Sequence, residues 1–222
     1  MNNIAVDLTR DGKRAIVCLY IWLLCESAVA ASALLTLYVF GALPGGYLDY
    51  GLASLSESVS GMTAAISLLA YLVTSILVLR WIYLSARAAY SVSHRMTVTP
   101  GWAVGRFFLP IVNLWTPYQG IAEIWRVSVA PTAPDVVPTP VILRWWWGLW
   151  LASSLFDHIG GRLTLQADTA KGLINAAWAD LVLFALNVPL VVVLVRIITQ
   201  LSAIQATLLT RAAGTIDGVD AP

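Results

Sequence analysis

The sequence predicts an all-α membrane protein in which four transmembrane helices form two hairpins, joined by a cytoplasmic segment. Composition is the first observation behind this prediction. Of 222 residues, 59% are hydrophobic and only 11% are charged, whereas about 25% of the residues in soluble domains are charged. Four windows are also apolar enough to cross a bilayer core that needs roughly 20 helical residues. Between the second and third windows lies an apolar stretch that prolines interrupt.

These windows define the predicted domain organisation. An N-terminal tail (residues 1–14) and a C-terminal tail (206–222) flank a single membrane domain at 15–205. The third window is the shortest, and it ends in polar residues and glycines. The spans are predicted at 15–40, 61–85, 141–160 and 173–198, with an amphipathic central segment at 99–130.

Lysine and arginine are unevenly distributed about the four spans. Eleven of the 13 basic residues fall on the side that includes both termini and the central segment. Arg162 and Lys171 fall on the other side. Because basic residues near spans remain in the cytoplasm, we expect both termini and the central segment to be cytoplasmic.

The central segment is too interrupted to be a span. Pro100, Pro110 and Pro117 each lack a backbone donor. Two Thr-Pro pairs predict helix starts. The first helix should end before Pro110, and the second should run from Pro117 to about Ser128. Thr116, with a glutamine three residues later, fits a capping box.

Two arrangements of this helix-break-helix segment are open. Its helices span only roughly 15 and 18 Å, too little to cross separately. The segment therefore lies in the membrane interface or dips inward as a re-entrant hairpin. The interfacial arrangement suits anchoring, and the re-entrant one makes Asn113 a candidate ligand. The candidate surface for lipid, ligand or partner comprises Trp102, Asn113, Trp115, Tyr118, Gln119, Glu123, Trp125 and Arg126.

Two carboxyl groups fall inside predicted spans. Glu26 lies about eleven residues into the first span, and Asp180 lies about seven residues into the fourth, which enters from the opposite side. Their depths are therefore similar, and Asn187 shares the Asp180 face. Because charges are costly in hydrocarbon, these three residues form a candidate proton or cation site. The alternative is structural, with Glu26 hydrogen-bonded to a neighbouring helix.

Basic and aromatic residues mark the inner ends of the spans. Arg80, Arg144 and Arg196 could hold anionic lipid headgroups or pair with Glu123, although the positive-inside rule alone explains them. The tryptophan run at 145–150 begins the third span. It predicts an interfacial aromatic belt or, alternatively, a stacking wall for a planar or quaternary-ammonium ligand.

Other functional classes receive little support. A net charge of +1 argues against nucleic acid as a partner. The sequence has no zinc-protease, serine-hydrolase or P-loop motif, so we expect no catalytic residues and no cofactor. His94 and His158 fall on opposite sides of the predicted membrane, so they are not expected to share a metal ion.

A long motif carries a family resemblance. Residues 99–128 read TPGWAVGRFFLPIVNLWTPYQGIAEIWRVS, and WWWGLWLASSL and VVLVRIITQ follow. These strings resemble the bacterial membrane family catalogued as domain of unknown function 4328, over roughly residues 80–200. Arg106 and Thr116 depart from the residues common in that family. The resemblance implies a protein of the bacterial inner membrane and no particular substrate or catalytic residue.

Three functional classes are therefore considered, in order of preference. The first is a non-enzymatic sensor, adaptor or regulatory module that binds lipid, a small ligand or a protein partner through the central segment. The alternative is a small ion- or proton-coupled transporter that uses Glu26, Asp180 and Asn187. An intramembrane enzyme is the third.

Overall fold

Helices are the only regular secondary structure in the described residues, which are 2–42, 44–45, 50–93, 95–165 and 169–217 of the computed structural model. Three short 3-10 turns accompany the α-helices, at Arg106–Phe108, Ile111–Leu114 and Pro134–Val136. The α-helices are α1 (Asn2–Val39), α2 (Tyr50–Val92), α3 (Pro100–Gly105), α4 (Thr116–Val129), α5 (Val141–Leu165) and α6 (Ala170–Asp217).

Three helices are long and apolar enough to span a bilayer. Among the described residues these are Ile4–Val39, Gly51–Val92 and Ala170–Ala212. Their apolar side chains mostly face outward. In α2, for example, only 11% of the most apolar 18-residue stretch is buried inside the protein. Exposed apolar surface on this scale is typical of helices that are embedded in a membrane. The prediction of an all-α membrane protein is confirmed to this extent.

Helix α5 covers the predicted third span but is not among the three candidate spans. It contains four tryptophans, together with Arg144, Asp157 and Arg162. These side chains lower its mean hydropathy, although tryptophan is common at membrane interfaces. That α5 crosses the membrane therefore stays a prediction.

The long helices extend beyond the predicted spans. Helix α1 begins at Asn2, well before residue 15, and α6 continues to Asp217. A hydropathy window locates only the apolar part of a helix, whereas polar turns can prolong it. At the start of α1, the Arg14–Asp11 ion pair lies at the i,i+3 spacing that stabilises helices.

A glycine ends α1. Gly41 has a φ of 72°, in the left-handed region that glycine adopts without steric cost. Its N–H donates to the Tyr38 carbonyl at 3.1 Å, and the N–H of Ala42 donates to the Leu37 carbonyl at 2.9 Å. This pair of bonds satisfies carbonyls at the helix end.

The described chain divides into two compact units. Helices α1, α2, α5 and α6 each contribute residues to both. Unit 1 contains α1 up to Val17, Ser75–Trp147 and α6 from Val193, and unit 2 contains Cys18–Thr74 and Gly148–Val192.

Basic residues separate sharply between the two units. The eleven that the sequence assigns to the cytoplasm all belong to unit 1. Arg162 and Lys171 belong to unit 2. The charge asymmetry that set the predicted orientation therefore coincides with the division into units.

Buried side chains of α4 belong to the core of unit 1. Ile124 and Val127 are almost fully buried, and so are Ile121 and Ala122. These positions lie around most of the helix circumference rather than along one stripe. Helix α4 is therefore a core helix of unit 1, with more of its surface covered than an amphipathic pattern predicts.

The start of α4 differs from the predicted capping box. Trp115 is the N-cap residue and makes no side-chain capping bond. The Thr116 hydroxyl instead donates to the Val112 carbonyl at 2.9 Å, because the preceding 3-10 turn supplies a close acceptor. The predicted start of α3 is confirmed, since the Thr99 hydroxyl accepts a bond from the N–H of Trp102 at 3.4 Å.

Candidate functional site

A cavity of about 290 Å³ lies within unit 2. Its lining residues repeat at intervals of three and four positions, so each of four helices presents one face to it. We call it the acidic cavity. Its polar and aromatic lining comprises Trp22 and Glu26 of α1, Ser67 and Tyr71 of α2, Trp150, Ser153, Ser154 and Asp157 of α5, and Asp180 and Asn187 of α6.

Glu26 is held by donors from two other helices. The Ser67 hydroxyl donates to Oε1 at 2.5 Å, and the Asn187 side-chain nitrogen donates to Oε2 at 2.9 Å. Ser67 and Asn187 are themselves buried, at 4% and 3% exposure. Each carboxyl oxygen thus accepts one bond, which suits a carboxylate because that group accepts and does not donate.

Two further carboxyls line the same cavity. The Asp180 carboxyl interacts electrostatically with both Glu26 and Asp157. These three are the charged side chains among the described residues that line the cavity. A confined space lined by one sign of charge raises the local concentration of counter-ions, so the arrangement favours a cation.

The cavity also contains an unpaired buried hydroxyl. Ser153 is only 7% exposed, and its Oγ has no hydrogen-bond partner among the described residues. Buried polar groups nearly always have a partner. Ser153 thus places a hydroxyl with unused hydrogen-bonding capacity beside the cavity.

The predicted cation-site residues come together in this cavity. Glu26, Asp180 and Asn187 all line it, and Asn187 bonds directly to Glu26. Sequence reasoning missed Ser67 and Ser153. A serine within an apolar span is a weak signal, since it is more often bonded to its own helix backbone.

Of the residues predicted to form a binding surface on the central segment, some are buried in the core and others are exposed. Trp125 is 8% exposed and belongs to the unit 1 core. Glu123 accepts bonds from both the N–H and the hydroxyl of Thr97, which leaves it occupied within the protein. Gln119 is exposed, whereas Tyr118 is partly buried.

Two polar atoms of the segment are buried without partners. They are Oδ1 of Asn113 and Nε of Arg126, among the described side chains. Asn113 lies in the 3-10 turn Ile111–Leu114, at the break between α3 and α4. The structure thus places it at the tip of the helix-break-helix segment.

Large apolar side chains are exposed around this break. Ile111 is 74% exposed and has a φ of 23°, which is strained for a β-branched residue. We call this set the apolar tip: Trp102, Phe108, Leu109, Ile111, Leu114 and Trp115.

Comparison with known families identifies the chain. The family described as Domain of unknown function (DUF4328) matches residues 45–203. The chain belongs to the DUF4328 family. The resemblance expected from the sequence is thereby confirmed. The match includes the central segment and the cavity-lining residues of α2, α5 and α6, whereas Trp22 and Glu26 precede it. No curated protein and no solved structure matches the chain.

The three arginines predicted to contact lipid headgroups in the DUF4328 protein, Arg80, Arg144 and Arg196, differ in their surroundings. Arg80 donates from Nε to Oδ2 of Asp11 at 2.5 Å, while Arg144 and Arg196 are exposed. The pairing with Glu123 that the sequence suggested is not seen for Arg80, because Asp11 takes its place. Asp11, with its side chain 1% exposed, was missed, since a carboxylate in a basic polar turn is normally solvated.

The tryptophan run does not form one wall. Trp145 is exposed, while Trp146 and Trp147 are buried in unit 1. The Trp147 indole donates to the Leu114 carbonyl at 3.1 Å, which fixes it against the central segment. Trp150 belongs to unit 2 and lines the acidic cavity, because consecutive helical positions point in different directions.

No metal centre is apparent in the described part of the DUF4328 protein. Groups of three or more His, Cys, Asp or Glu side chains that could hold a metal ion do not occur there. His94 lies outside the described residues, and His158 is exposed on α5.

Proposed function

We propose that this DUF4328 protein is a small cation-binding carrier of the bacterial inner membrane, in which proton or ion movement is coupled to cation binding in the acidic cavity. One observation carries the proposal. Glu26 is held between Ser67 and Asn187 in a cavity that Asp157 and Asp180 also line. This is the alternative function that the sequence suggested, and the geometry favours it over the sensor or adaptor.

The placement of the carboxyls supports a transport role. Glu26 and Asp180 belong to helices that are candidate membrane spans. Ionisable groups inside spans are costly and mark ion or substrate pathways. A purely structural bond would need one carboxyl, whereas this cavity gathers three.

A proline next to Asn187 adds to this argument. Pro189 lies inside α6 and cannot donate the usual bond to the carbonyl four residues earlier, that of Ala185. Helix α6 continues through Pro189, but backbone carbonyls without a helical partner commonly coordinate ions in transporters. Pro189 and Ala185 each lie within two residues of a residue that lines the cavity.

The proposed topology has four spans, formed by α1, α2, α5 and α6 in chain order, and both termini in the cytoplasm. An even number of spans places the termini on the same side. The gathering of eleven basic residues in unit 1 supports this orientation through the positive-inside rule.

Proton movement in proteoliposomes tests the carrier function. Purified protein is reconstituted with an internal pH-sensitive dye, and gradients of Na⁺, K⁺ or an ammonium salt are imposed. We expect cation-dependent proton movement that Glu26→Gln abolishes. Glu57→Gln is the matched control, because Glu57 is an exposed residue of α2. Wild-type vesicles that behave like protein-free vesicles for every cation would overturn the proposal, as would normal movement in Glu26→Gln.

The apolar tip supports a second candidate function, lipid binding by the central segment. Exposed tryptophan and aliphatic side chains favour the membrane interface. Seated there, the segment would anchor the protein or sense the lipid around it. The strained backbone of Ile111 fits a functional position, since such strain tends to persist at functional sites.

Cysteine labelling tests this second candidate. After Cys18 and Cys25 are replaced by alanine, Ile111→Cys is compared with Val136→Cys. The two native side chains are similarly exposed, at 74% and 77%. In membranes opened to both sides, a water-soluble maleimide should label Val136→Cys and spare Ile111→Cys. Equal labelling would exclude insertion of the apolar tip.

A further inference from the structure

Aromatic rings accompany the carboxyls of the acidic cavity. Trp22, Tyr71 and Trp150 line it from three helices. The rings of Trp22 and Tyr71 lie 5.6 Å apart between centroids and are tilted by 56°. The cavity lining thus combines carboxyl groups with aromatic side chains.

We infer that the cation bound in the acidic cavity is a small protonated organic amine, with its ammonium group at the carboxyls and its hydrocarbon part against the aromatic rings. This inference rests on the proposed function and names the substrate class of the same site.

Charge and aromaticity together point to an organic ammonium ion. Carboxylates attract any cation, but proteins use aromatic rings as a binding surface chiefly for organic ammonium ligands. In this cavity the two kinds of group share α1, where Glu26 lies one helical turn from Trp22.

Cavity size agrees with an organic ligand. The cavity measures about 290 Å³, many times the roughly 30 Å³ that one water molecule occupies. This volume is just below the range of small-molecule pockets, which begins at about 300 Å³. A compact amine fills this space, whereas a single inorganic ion leaves most of it to water.

The buried hydroxyl of Ser153 favours an amine that carries N–H groups. Ser153 lines the cavity, and its Oγ, which is itself buried, has no hydrogen-bond partner among the described residues. A primary ammonium group has three donors, which allows it to serve a carboxylate and this hydroxyl together. A quaternary ammonium group has the charge but no donor, so Ser153 would stay unsatisfied.

Binding of benzylamine to the protein in lipid nanodiscs tests the inference. Radiolabelled benzylamine, which is protonated at neutral pH, is equilibrated with loaded and empty nanodiscs. Benzyl alcohol is its uncharged counterpart of the same size. We expect saturable binding that Glu26→Gln removes, that unlabelled benzylamine displaces, and that benzyl alcohol does not displace. Benzyltrimethylammonium should compete more weakly than benzylamine.

Aromatic substitutions test the role of the rings. Tyr71→Leu should weaken benzylamine binding about two- to thirtyfold, the range that the loss of one cation–π contact produces. Tyr71→Phe keeps the ring and should bind like the wild type. Tyr38→Leu is the matched control, because Tyr38 is a similarly exposed tyrosine of unit 2, at 41% against 45% for Tyr71, and does not line the cavity. Size-exclusion profiles verify that each variant is folded.

Several outcomes would overturn the inference. Equal displacement by benzyl alcohol would show that binding does not depend on the positive charge of the ligand. Equal binding by Tyr71→Leu and Tyr71→Phe would show that the Tyr71 ring does not contact the ligand. If Na⁺ or K⁺ drives Glu26-dependent proton movement while benzylamine does not bind, the inference fails and the carrier function remains. If benzylamine binds but no cation moves protons, the carrier function fails while the assigned ligand class stands.

Discussion

The side-chain nitrogen of Asn187 donates a 2.9 Å hydrogen bond to Oε2 of Glu26, although the two residues are 161 positions apart. Asn187 is 3% exposed, so its amide has little access to water. The bond joins α6 to α1 within unit 2. The bond should therefore stabilise the fold in addition to its proposed role in cation binding.

Asn187→Ala should destabilise the protein. The substitution leaves Oε2 of Glu26 without its donor, and loss of a hydrogen bond to a charged group costs about 1.5–3 kcal/mol. Thermal unfolding in nanodiscs measures the effect. Asn175→Ala is the control, because Asn175 is an exposed residue of the same helix. Equal melting temperatures for the two variants would contradict the prediction.

Asp11→Asn should be more harmful than Asp7→Asn. Asp11 has a side chain that is 1% exposed and accepts from both Arg80 and Arg14, so we expect a loss of about 1.5–3 kcal/mol in the free energy of unfolding. Asp7 pairs with Arg10 while 43% exposed, and surface pairs of this kind contribute roughly 0–1 kcal/mol.

Denaturant unfolding at two salt concentrations measures both variants. Salt should weaken the Asp7 contribution more than that of Asp11, because the Asp11 carboxyl is buried and the Asp7 carboxyl is exposed. A loss for Asp11→Asn no larger than that for Asp7→Asn would show that the bonds to Asp11 do not stabilise unit 1.

Gly12→Leu should destabilise unit 1 through overpacking. A Cβ at this position would lie 3.2 Å from Oγ of Ser202 and 3.4 Å from Cδ1 of Trp81. Ser202 accepts the Trp81 indole bond at 2.9 Å, so neither neighbour can move freely. Extra methylene groups in a packed core cost about 1–3 kcal/mol.

A second helical glycine, Gly61, should respond in the opposite way, with a gain in the free energy of unfolding when a side chain is added. At Gly61 of α2, a side-chain Cβ would have nothing within 4 Å of it. Gly61→Ala should therefore raise stability by about 0.5–1 kcal/mol, because alanine is the better helix former. Unfolding of both variants under one set of conditions checks the pair. Tolerance of leucine at Gly12 would refute the close approach.

Gln205→Met should be milder than Gln205→Ala. Gln205 is fully buried, and its nitrogen donates to the Ser85 carbonyl and the Ser128 hydroxyl, both at 2.9 Å. Its Oε1 has no partner among the described residues. Methionine keeps the volume and removes that unpaired oxygen, but like alanine it loses both donated bonds, so we expect a loss of about 1–3 kcal/mol. Alanine leaves a cavity that costs about 2–5 kcal/mol. Equal losses in chemical denaturation would contradict this account.

Much of the candidate site was within reach of the sequence. Glu26 and Asp180 were identifiable because a carboxyl in an apolar span is rare and costly, and Asn187 followed from helical spacing. Ser67, Ser153 and Tyr71 escaped because serine and tyrosine are ordinary residues in such helices. What makes them part of the site is the face that their helix turns toward Glu26.

The central segment shows the same limit. Its prolines predicted the break between α3 and α4, because proline acts on its own neighbourhood. Its polar and apolar stripes did not predict that α4 would be buried around most of its circumference. Nor could they show that Glu123 would be occupied by Thr97, since that partner lies outside the helix.

The sequence by itself determined the membrane character, the family and the apolar core of the three long helices. Each of these depends on composition or on short-range periodicity, which can be counted along the chain. The tertiary structure alone decided that Asn187 meets Glu26, that Arg80 meets Asp11, and that Trp150 rather than its neighbours lines the acidic cavity. The physical reason is that periodicity tells which residues share a helix face, while packing between helices decides which faces meet.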